Sequence, residues 1–192
     1  MEKGGLTDAL QANALTAEHT VGFGDEMRVG LFGQVRRVLA PRGIAVRQPR
    51  QIKHDWVYLA LAVDGREGRV SWTWLCGMDE SEIALAVQTW QDDGFDGVVW
   101  DGASSHKAAS VGALGVPLIV QPPLSPELNP AERFFEELRK EIEGTVYPRI
   151  EEKVLKVENT LRQWAADPER IKQLCGWDWI EESFECLQDQ AA

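Results

Sequence analysis

Three apolar runs in the first half of the chain have the alternation and composition of β-strands. They are rich in β-branched and aromatic residues, and they span residues 19–25, 56–63 and 69–76. Turn residues at Asp64-Gly65 and Gly68 separate the last two runs, which predicts a hairpin. We therefore expect three early strands, antiparallel to one another, after a loosely helical lead-in over residues 1–18.

The hydrophobic period changes after the third run. Ile83, Val87 and Trp90 recur at helical spacing behind the acidic residue Asp79. Acidic residues near a helix start interact favourably with the helix dipole. The pattern predicts an amphipathic helix that ends at Gly94.

Two short strands are predicted around a further helix. The strands span residues 97–100 and 116–120, and the helix spans residues 105–114. A strand, helix, strand unit makes its two strands parallel. Beyond the proline-rich stretch 121–130 the pattern is helical, with breaks near Pro168 and Gly176. We predict an α/β fold with a mixed five-stranded sheet, three antiparallel and then two parallel strands, flanked by helices in the order of a ribonuclease H-like domain.

Composition adds limits to this picture. The 192 residues suffice for one domain, and 44% hydrophobic with 27% charged residues is typical of a globular protein. We predict a cytoplasmic location, because the sequence shows no apolar run of membrane-spanning length and no signal peptide. Three widely spaced cysteines without a Cys-x-x-Cys pair give no support to a zinc site.

Charge is distributed unevenly along the chain. A net charge of −11 argues against a nucleic-acid partner, since DNA phosphates are bound largely by Lys and Arg. Residues 27–54, however, contain seven basic residues and no acidic ones. We predict that this basic span contacts DNA, with a solvated basic loop as the alternative. The candidate DNA-binding residues are Arg36, Arg37, Arg42, Arg47, Arg50 and Lys53.

Two aspartates are placed to deliver carboxylates to one edge of the predicted sheet. Asp25 ends the first predicted strand beside Glu26, and Asp101 directly follows the fourth. Carboxylates at the ends of neighbouring strands can share divalent cations. The alternative is that each Asp ends its strand only because Asp favours turns.

A third acidic residue stands at the start of a predicted helix. In the stretch QPPLSPELNPAER, Asn129 suits the N-cap, Pro130 the first helical position and Glu132 the third. Asn129 and Glu132 could form a capping box and nothing more. The functional interpretation is that the helix start holds Glu132 opposite the two aspartates. Both interpretations are compatible.

These residues resemble the catalytic (DDE) domain of bacterial insertion-sequence transposases related to the mariner superfamily. The resemblance covers roughly residues 21–140. Its first features are the pair Asp25-Glu26 and the segment 36–43 that follows it. The others are Asp101, followed five positions later by His106, and the motif Ser-Pro-Glu-Leu-Asn-Pro-x-Glu at 125–132. It implies that Asp25, Asp101 and Glu132 are the catalytic and metal-binding triad. It also implies two Mg²⁺ ions as cofactors, for which Mn²⁺ can substitute.

The spacing after the second aspartate leaves two candidates for the third acid. The Asn-Pro-x-Glu motif selects Glu132, with 30 residues between it and Asp101, whereas the family's usual 34 residues would select Glu136. We prefer Glu132, because the motif determines local geometry while loop lengths vary freely.

The resemblance implies DNA strand cleavage followed by strand transfer, as in cut-and-paste transposition. The expected partners are the transposon ends and the target DNA, with a homodimer on DNA, association with the nucleoid, and a separate helix-turn-helix portion. The resemblance also implies that the basic span contacts DNA or the partner subunit. His106 either positions a phosphate or a metal-bound water, or serves as a structural hydrogen-bonder.

Two alternatives to a transposase stay open. One is a ribonuclease H-like nuclease that cuts without joining, and the other is a non-catalytic transposase remnant that binds DNA or a partner subunit.

We expect the catalytic domain to span residues 19–150, with the basic insertion at 27–54 between the first two strands. Residues 151–192 would form a C-terminal helical extension of it.

Overall fold

A mixed sheet forms the centre of the protein, as a computed structural model describes it for residues 5–33, 39–47 and 49–189. Its strand order is β3-β2-β1-β4-β5. The strands are β1 (Val21–Gly30), β2 (Trp56–Asp64), β3 (Arg69–Leu75), β4 (Gly97–Trp100) and β5 (Leu118–Val120). The first three are antiparallel, and β4 and β5 run parallel to β1. The predicted fold class is therefore confirmed.

Helices cover both faces of this sheet. They are α1 (Gly5–Ala12), α2 (Glu80–Asp92), α3 (Ala109–Gly112), α4 (Pro130–Ile142), α5 (Ile150–Ala165), α6 (Pro168–Cys175) and α7 (Asp178–Asp189), with 3₁₀ turns at Ser105–Lys107 and Pro126–Leu128. Asp79 caps α2, since its side chain accepts hydrogen bonds from the backbone N–H groups of Ser81 and Glu82. The breaks expected near Pro168 and Gly176 are present, because α6 begins and ends there. No helix in the described ranges is long and apolar enough to cross a membrane.

Two sequence predictions about element boundaries were wrong. The first strand does not end at Asp25, because residues 26–30 continue the antiparallel pairing with β2 as far as Gly30 opposite Trp56. The connection between β1 and β2 consequently starts after Gly30 rather than at residue 27. The helix predicted over 105–114 is broken, because Ala108 has an extended backbone (φ −63°, ψ 149°) between the 3₁₀ turn and α3.

The two faces of the sheet have different partners. One face, which includes Phe23 and Met27 of β1, packs against α1 and α4 to α7. The other face includes Ala62 of β2 and packs against α2 and α3, with Trp90 and Trp100 between the layers. Neighbouring side chains of a strand point to opposite faces, so β1 directs the side chain of Asp25 toward α4 and that of Glu26 toward α2.

The predicted lead-in and the last helix pack on each other. Leu6 and Leu10 of α1 are fully buried in the larger core, and the Thr7 hydroxyl donates a hydrogen bond to the Ser183 carbonyl of α7 (3.0 Å). The division of the chain at residues 18 and 150 stays a prediction.

The hairpin between β2 and β3 joins the sheet to α6. The Asp64 carboxylate accepts a hydrogen bond from the Arg66 backbone N–H (2.8 Å), and the Arg66 side chain donates to the His19 carbonyl (2.9 Å). Gly68 has a positive φ of 70°, and a Cβ there would lie 2.3 Å from the Pro168 carbonyl oxygen of α6. Glycine is therefore required at position 68 by both conformation and space.

We expect Gly68→Ala to lower the free energy of unfolding by about 3 kcal/mol. The left-handed conformation costs a residue with a Cβ about 1–2 kcal/mol, and overlap with the α6 backbone adds a further ~1–3 kcal/mol. Gly115→Ala is a matched control, because Gly115 has a similar φ of 73° and open space around it. Urea unfolding of both variants measures the difference. If both variants lost the same free energy of unfolding, contact with α6 would not constrain the hairpin.

Candidate active site

Asp25 and Asp101 lie side by side where β4 ends. Residues 21–23 of β1 pair in parallel with 97–99 of β4, and the same register carried two positions further places Asp25 level with Asp101. Asp101 follows the last residue of β4, while β1 continues. Its carboxylate accepts a hydrogen bond from the Ala103 backbone N–H (3.0 Å). The predicted neighbouring positions of the two strands are therefore confirmed.

The start of α4 is attached to β1 by one buried side chain. The Asn129 side-chain carbonyl accepts a hydrogen bond from the Ala131 backbone N–H (3.0 Å), and its amide NH₂ donates to the Gly24 carbonyl (3.0 Å). The first bond caps the helix, and the second holds the cap beside the residue that precedes Asp25. The backbone N–H of Asn129 donates to the Pro126 carbonyl, rather than to the Glu132 carboxylate that a capping box would use.

Asp25 lies at the centre of a group of negative charges. Burial raises the pKa of Asp25 to about 8, together with the charge of Glu132 and, to a smaller extent, those of Glu26 and Asp101. One hydrogen bond, from the Glu26 backbone N–H to the Asp25 carboxylate (2.8 Å), acts in the opposite direction. The described structure thus brings Glu132 and Asp101 close enough to act electrostatically on Asp25.

The two glutamates proposed for the third position have different surroundings. Glu132 is half-buried and repels the charge of Asp25. Glu136, one turn later, is exposed and forms an ion pair with Arg133 (2.9 Å). Of the two, Glu132 is the one whose charge acts on Asp25.

Glu26 extends the acidic site to the other face of the sheet, a role that we did not predict from the sequence. Its carboxylate lies 3.2 Å from Nε2 of His106, and Nδ1 of His106 lies 2.8 Å from the Asp101 carboxylate. The imidazole is only 5% exposed and stacks on Trp100 with ring centroids 3.7 Å apart. Although burial opposes it, the pKa of His106 is raised by its contacts with Glu26 and Asp101. These contacts favour the structural interpretation of His106 over a phosphate contact.

The donor set suits a hard divalent cation. Among the described residues, no group of three or more His, Cys, Asp or Glu side chains is placed to hold a metal ion, and the Asp101 carboxylate is turned toward His106. Carboxylate oxygens are nonetheless the ligands that Mg²⁺ and Mn²⁺ prefer. Burial and the neighbouring carboxylates raise the pKa of Asp25, and a bound cation would favour its charged form.

Comparison with known proteins places this site in a family. The sequence profile of the DDE superfamily endonuclease family matches residues 20–153. The chain belongs to this family. No curated protein matches the sequence significantly. The identification made from the acidic residues is therefore confirmed at the level of the superfamily.

The fold of this DDE endonuclease is similar to that of the mariner transposase Mos1. The Mos1 strand transfer complex matches with a TM-score of 0.65 and 17% identity over 100% of this chain and 62% of that chain. The Mos1 paired end complex with Mn matches with a TM-score of 0.61 and 16% identity over 95% and 57% of the two chains. At such identities the likeness shows the fold alone. The chain spans less than two thirds of the length of Mos1.

The described basic residues of the span lie at the surface of this DDE endonuclease. Arg42, Arg47 and Arg50 are exposed, and Arg50 lies over the Phe32 ring (5.2 Å). Lys53 donates to the Pro148 carbonyl (2.8 Å), so it anchors the end of the span to the segment after α4. Arg36 and Arg37 lie outside the described residues.

We expect the metal-free protein to lose stability as the pH rises from about 4 to about 8. In this range folded Asp25, with its pKa raised from 3.8 to about 8, retains a proton that the unfolded chain has released. Asp25→Asn removes this contribution and should be more stable than the wild type at pH 8, with a much smaller difference near pH 4. The pKa of His106 is also raised, so His106 contributes a further loss of stability as the pH rises, and this loss is the same in both proteins.

Urea unfolding of both proteins in EDTA across this pH range measures the effect. If the difference between wild type and Asp25→Asn did not change with pH, Asp25 would not be the group that binds the extra proton.

Proposed function

We propose that this chain is the catalytic domain of a bacterial insertion-sequence transposase related to the mariner superfamily. The observation that carries the proposal is the grouping of Asp25 with Glu132 and Asp101, because burial and then the charges of these neighbours raise the pKa of Asp25. The family match and the Mos1-like fold support it. The reaction is metal-dependent DNA cleavage followed by strand transfer, performed in the cytoplasm on DNA of the nucleoid.

In this proposal Asp25, Asp101 and Glu132 hold two Mg²⁺ ions, or Mn²⁺ in their place. When bound, such a pair activates the attacking oxygen and neutralises charge on the leaving oxygen. The chain contributes the position of each carboxylate. Asp25 is held within a paired strand, and Glu132 stands at a helix start that Asn129 attaches to that strand.

The reaction has two stages. Water first attacks the phosphorus at the transposon end, and the P–O3′ bond breaks to leave a free 3′-hydroxyl. This hydroxyl then attacks a phosphodiester of the target, so that a new P–O bond forms as the target strand's own P–O3′ bond breaks. One site can serve both stages, because the nucleophile is an oxygen in each.

We propose DNA as the partner of the basic span, with a homodimer assembled on two transposon ends. The exposed guanidinium groups of Arg42, Arg47 and Arg50 support this assignment, to which Arg36, Arg37 and Lys53 contribute charge. Phosphate contacts of this kind are independent of sequence. We propose that a separate helix-turn-helix portion recognises the transposon end, because phosphate contacts carry no sequence information.

One assay distinguishes this function from the two alternatives. The substrate is a pre-cut duplex that carries the inverted repeat flanking the gene, mixed with a supercoiled target plasmid and Mg²⁺ or Mn²⁺. Products in which the duplex is joined to the plasmid support a transposase. Cleavage without joining would indicate a nuclease, and binding without either reaction would indicate a non-catalytic remnant.

We expect Glu132→Gln to reduce nicking of an uncut inverted-repeat duplex by orders of magnitude, since it removes a metal-binding charge. Stability should change by no more than about 1 kcal/mol, because Asn129 rather than Glu132 caps α4. Glu136→Gln is the matched control and should retain nearly full activity, as its carboxylate pairs with Arg133. Metal-dependent nicking and thermal melting measure both effects. An inactive Glu136→Gln beside an active Glu132→Gln would reverse the assignment.

We expect weak DNA binding at physiological salt, and we expect the double charge reversal of Arg36 and Arg37 to abolish it. A net charge of −11 repels phosphates outside the basic span, and screening is effective only beyond about 8 Å. Charge reversal of Arg149 and Lys156, exposed residues outside the span, is the matched control. Fluorescence anisotropy with a labelled duplex measures the affinities. Equal losses from the two pairs would show that the span has no special role.

A further inference from the structure

We propose that His106 is a positioning residue that orients the Asp101 carboxylate, and that Glu26 acts through it from the opposite face of the sheet. The proposal rests on the proposed function, because Asp101 is taken as a metal ligand. It adds two residues, Glu26 and His106, to the three that hold the ions.

The three side chains form a continuous line of contacts. Nδ1 of His106 lies 2.8 Å from Oδ1 of Asp101 and 3.2 Å from the backbone carbonyl of the same residue, and Nε2 lies 3.2 Å from Oε1 of Glu26. The side chains of His106 and Glu26 are only 4% and 8% exposed, whereas that of Asp101 is 63% exposed. The line therefore leads from the buried interior to a carboxylate at the surface.

The Trp100 ring determines the plane of the imidazole. The two rings stack with centroids 3.7 Å apart and an angle of 21°, and Trp100 itself is 2% exposed. With its plane set by Trp100 and one nitrogen beside Glu26, the imidazole can present its other nitrogen in one direction only. That direction is toward Asp101.

Asp101 needs such a constraint because it follows the last residue of β4. An exposed Asp in a loop samples several rotamers, and holding one of them costs conformational entropy when a ligand binds. Contacts with the Ala103 backbone N–H and with His106 restrict it before a cation arrives. Partners of this kind typically change metal affinity about 10- to 100-fold when they are removed.

Glu26 can reach His106 because it is the neighbour of Asp25 in β1 and points to the other face of the sheet. Because adjacent strand residues point to opposite faces, Asp25 contributes to the site directly, while Glu26 lies on the face of α2 beside His106. A buried carboxylate is costly unless it is paired. Glu26 thus stabilises the imidazole, and the imidazole stabilises Glu26.

The test is Mn²⁺ binding by isothermal titration calorimetry on the full chain without DNA. We expect His106→Ala to weaken binding about 10- to 100-fold and Glu26→Ala to weaken it by a smaller factor. Glu26→Gln should lie between the wild type and Glu26→Ala, because it keeps the shape of the side chain but loses the charge that pairs with Nε2. Among the described residues, neither Oε1 of Glu26 nor Nε2 of His106 makes a hydrogen bond. His106→Asn, which can still donate to Asp101, should lie between the wild type and His106→Ala. His19→Ala, outside the site, is the matched control and should bind as the wild type does.

A double variant tests whether Glu26 acts through His106. If it does, His106→Ala combined with Glu26→Ala binds Mn²⁺ no more weakly than His106→Ala alone. Additive losses would overturn this arrangement. Thermal melting without metal identifies any variant that fails to fold, and the milder Glu26→Gln and His106→Asn variants then decide the question.

Asp101→Asn separates this proposal from the proposed function. If Asp101→Asn leaves Mn²⁺ affinity unchanged, the assignment of Asp101 as a metal ligand fails, and the role of His106 fails with it. If Asp101→Asn weakens binding while His106→Ala lowers only the melting temperature of the metal-free chain, the positioning role alone is overturned.

Discussion

The hydrogen bond from the Asn129 side chain to the Gly24 carbonyl is the interaction on which the geometry of the site depends. It joins the start of α4 to the central strand, and these elements carry two of the three proposed metal ligands. A primary amide suits this position because it accepts from the helix and donates to the strand with one group. Loss of the donor would leave a buried carbonyl without this partner, which typically costs about 1–3 kcal/mol.

The same geometry makes the charged form of Asp25 unfavourable. The fold buries Asp25 among other carboxylates and raises its pKa to about 8, so metal-free Asp25 is largely protonated at neutral pH. The pairing of Glu26 with His106 partly offsets this repulsion on the far side of the sheet. Functional sites often retain such locally unfavourable arrangements because they bind a ligand strongly. The rest of the fold, with its two apolar cores, supplies the stability that tolerates it.

Most of the fold could be predicted from local patterns, and the exceptions have physical causes. The continuation of β1 to Gly30 was missed because Arg28 and the basic residues after it are typical of a loop. Met27 and Val29 nevertheless keep the alternation of buried and exposed residues that a strand has. The break at Ala108 depends on backbone angles that a helical pattern does not report. The bond between Asn129 and Gly24 joins residues 105 positions apart, and no periodicity indicates such a contact. The pairing of Glu26 with His106 is long-range as well, yet strand alternation alone indicates that Asp25 and Glu26 face different layers.

Two glycines of β1 protect the acidic pair from an error in strand pairing. A Cβ on Gly22 would lie 2.7 Å from the Phe95 ring, and a Cβ on Gly24 would lie 2.9 Å from Val98, so these two positions have room only for hydrogen. A slip of one residue would turn every side chain of a strand to the opposite face and would force Phe23 and Asp25 into that space. The slipped form would also exchange Asp25 and Glu26 between the proposed metal site and the contact with His106. A chain that pairs one residue out of register therefore cannot close its second core, because the space beside the two glycines is already filled.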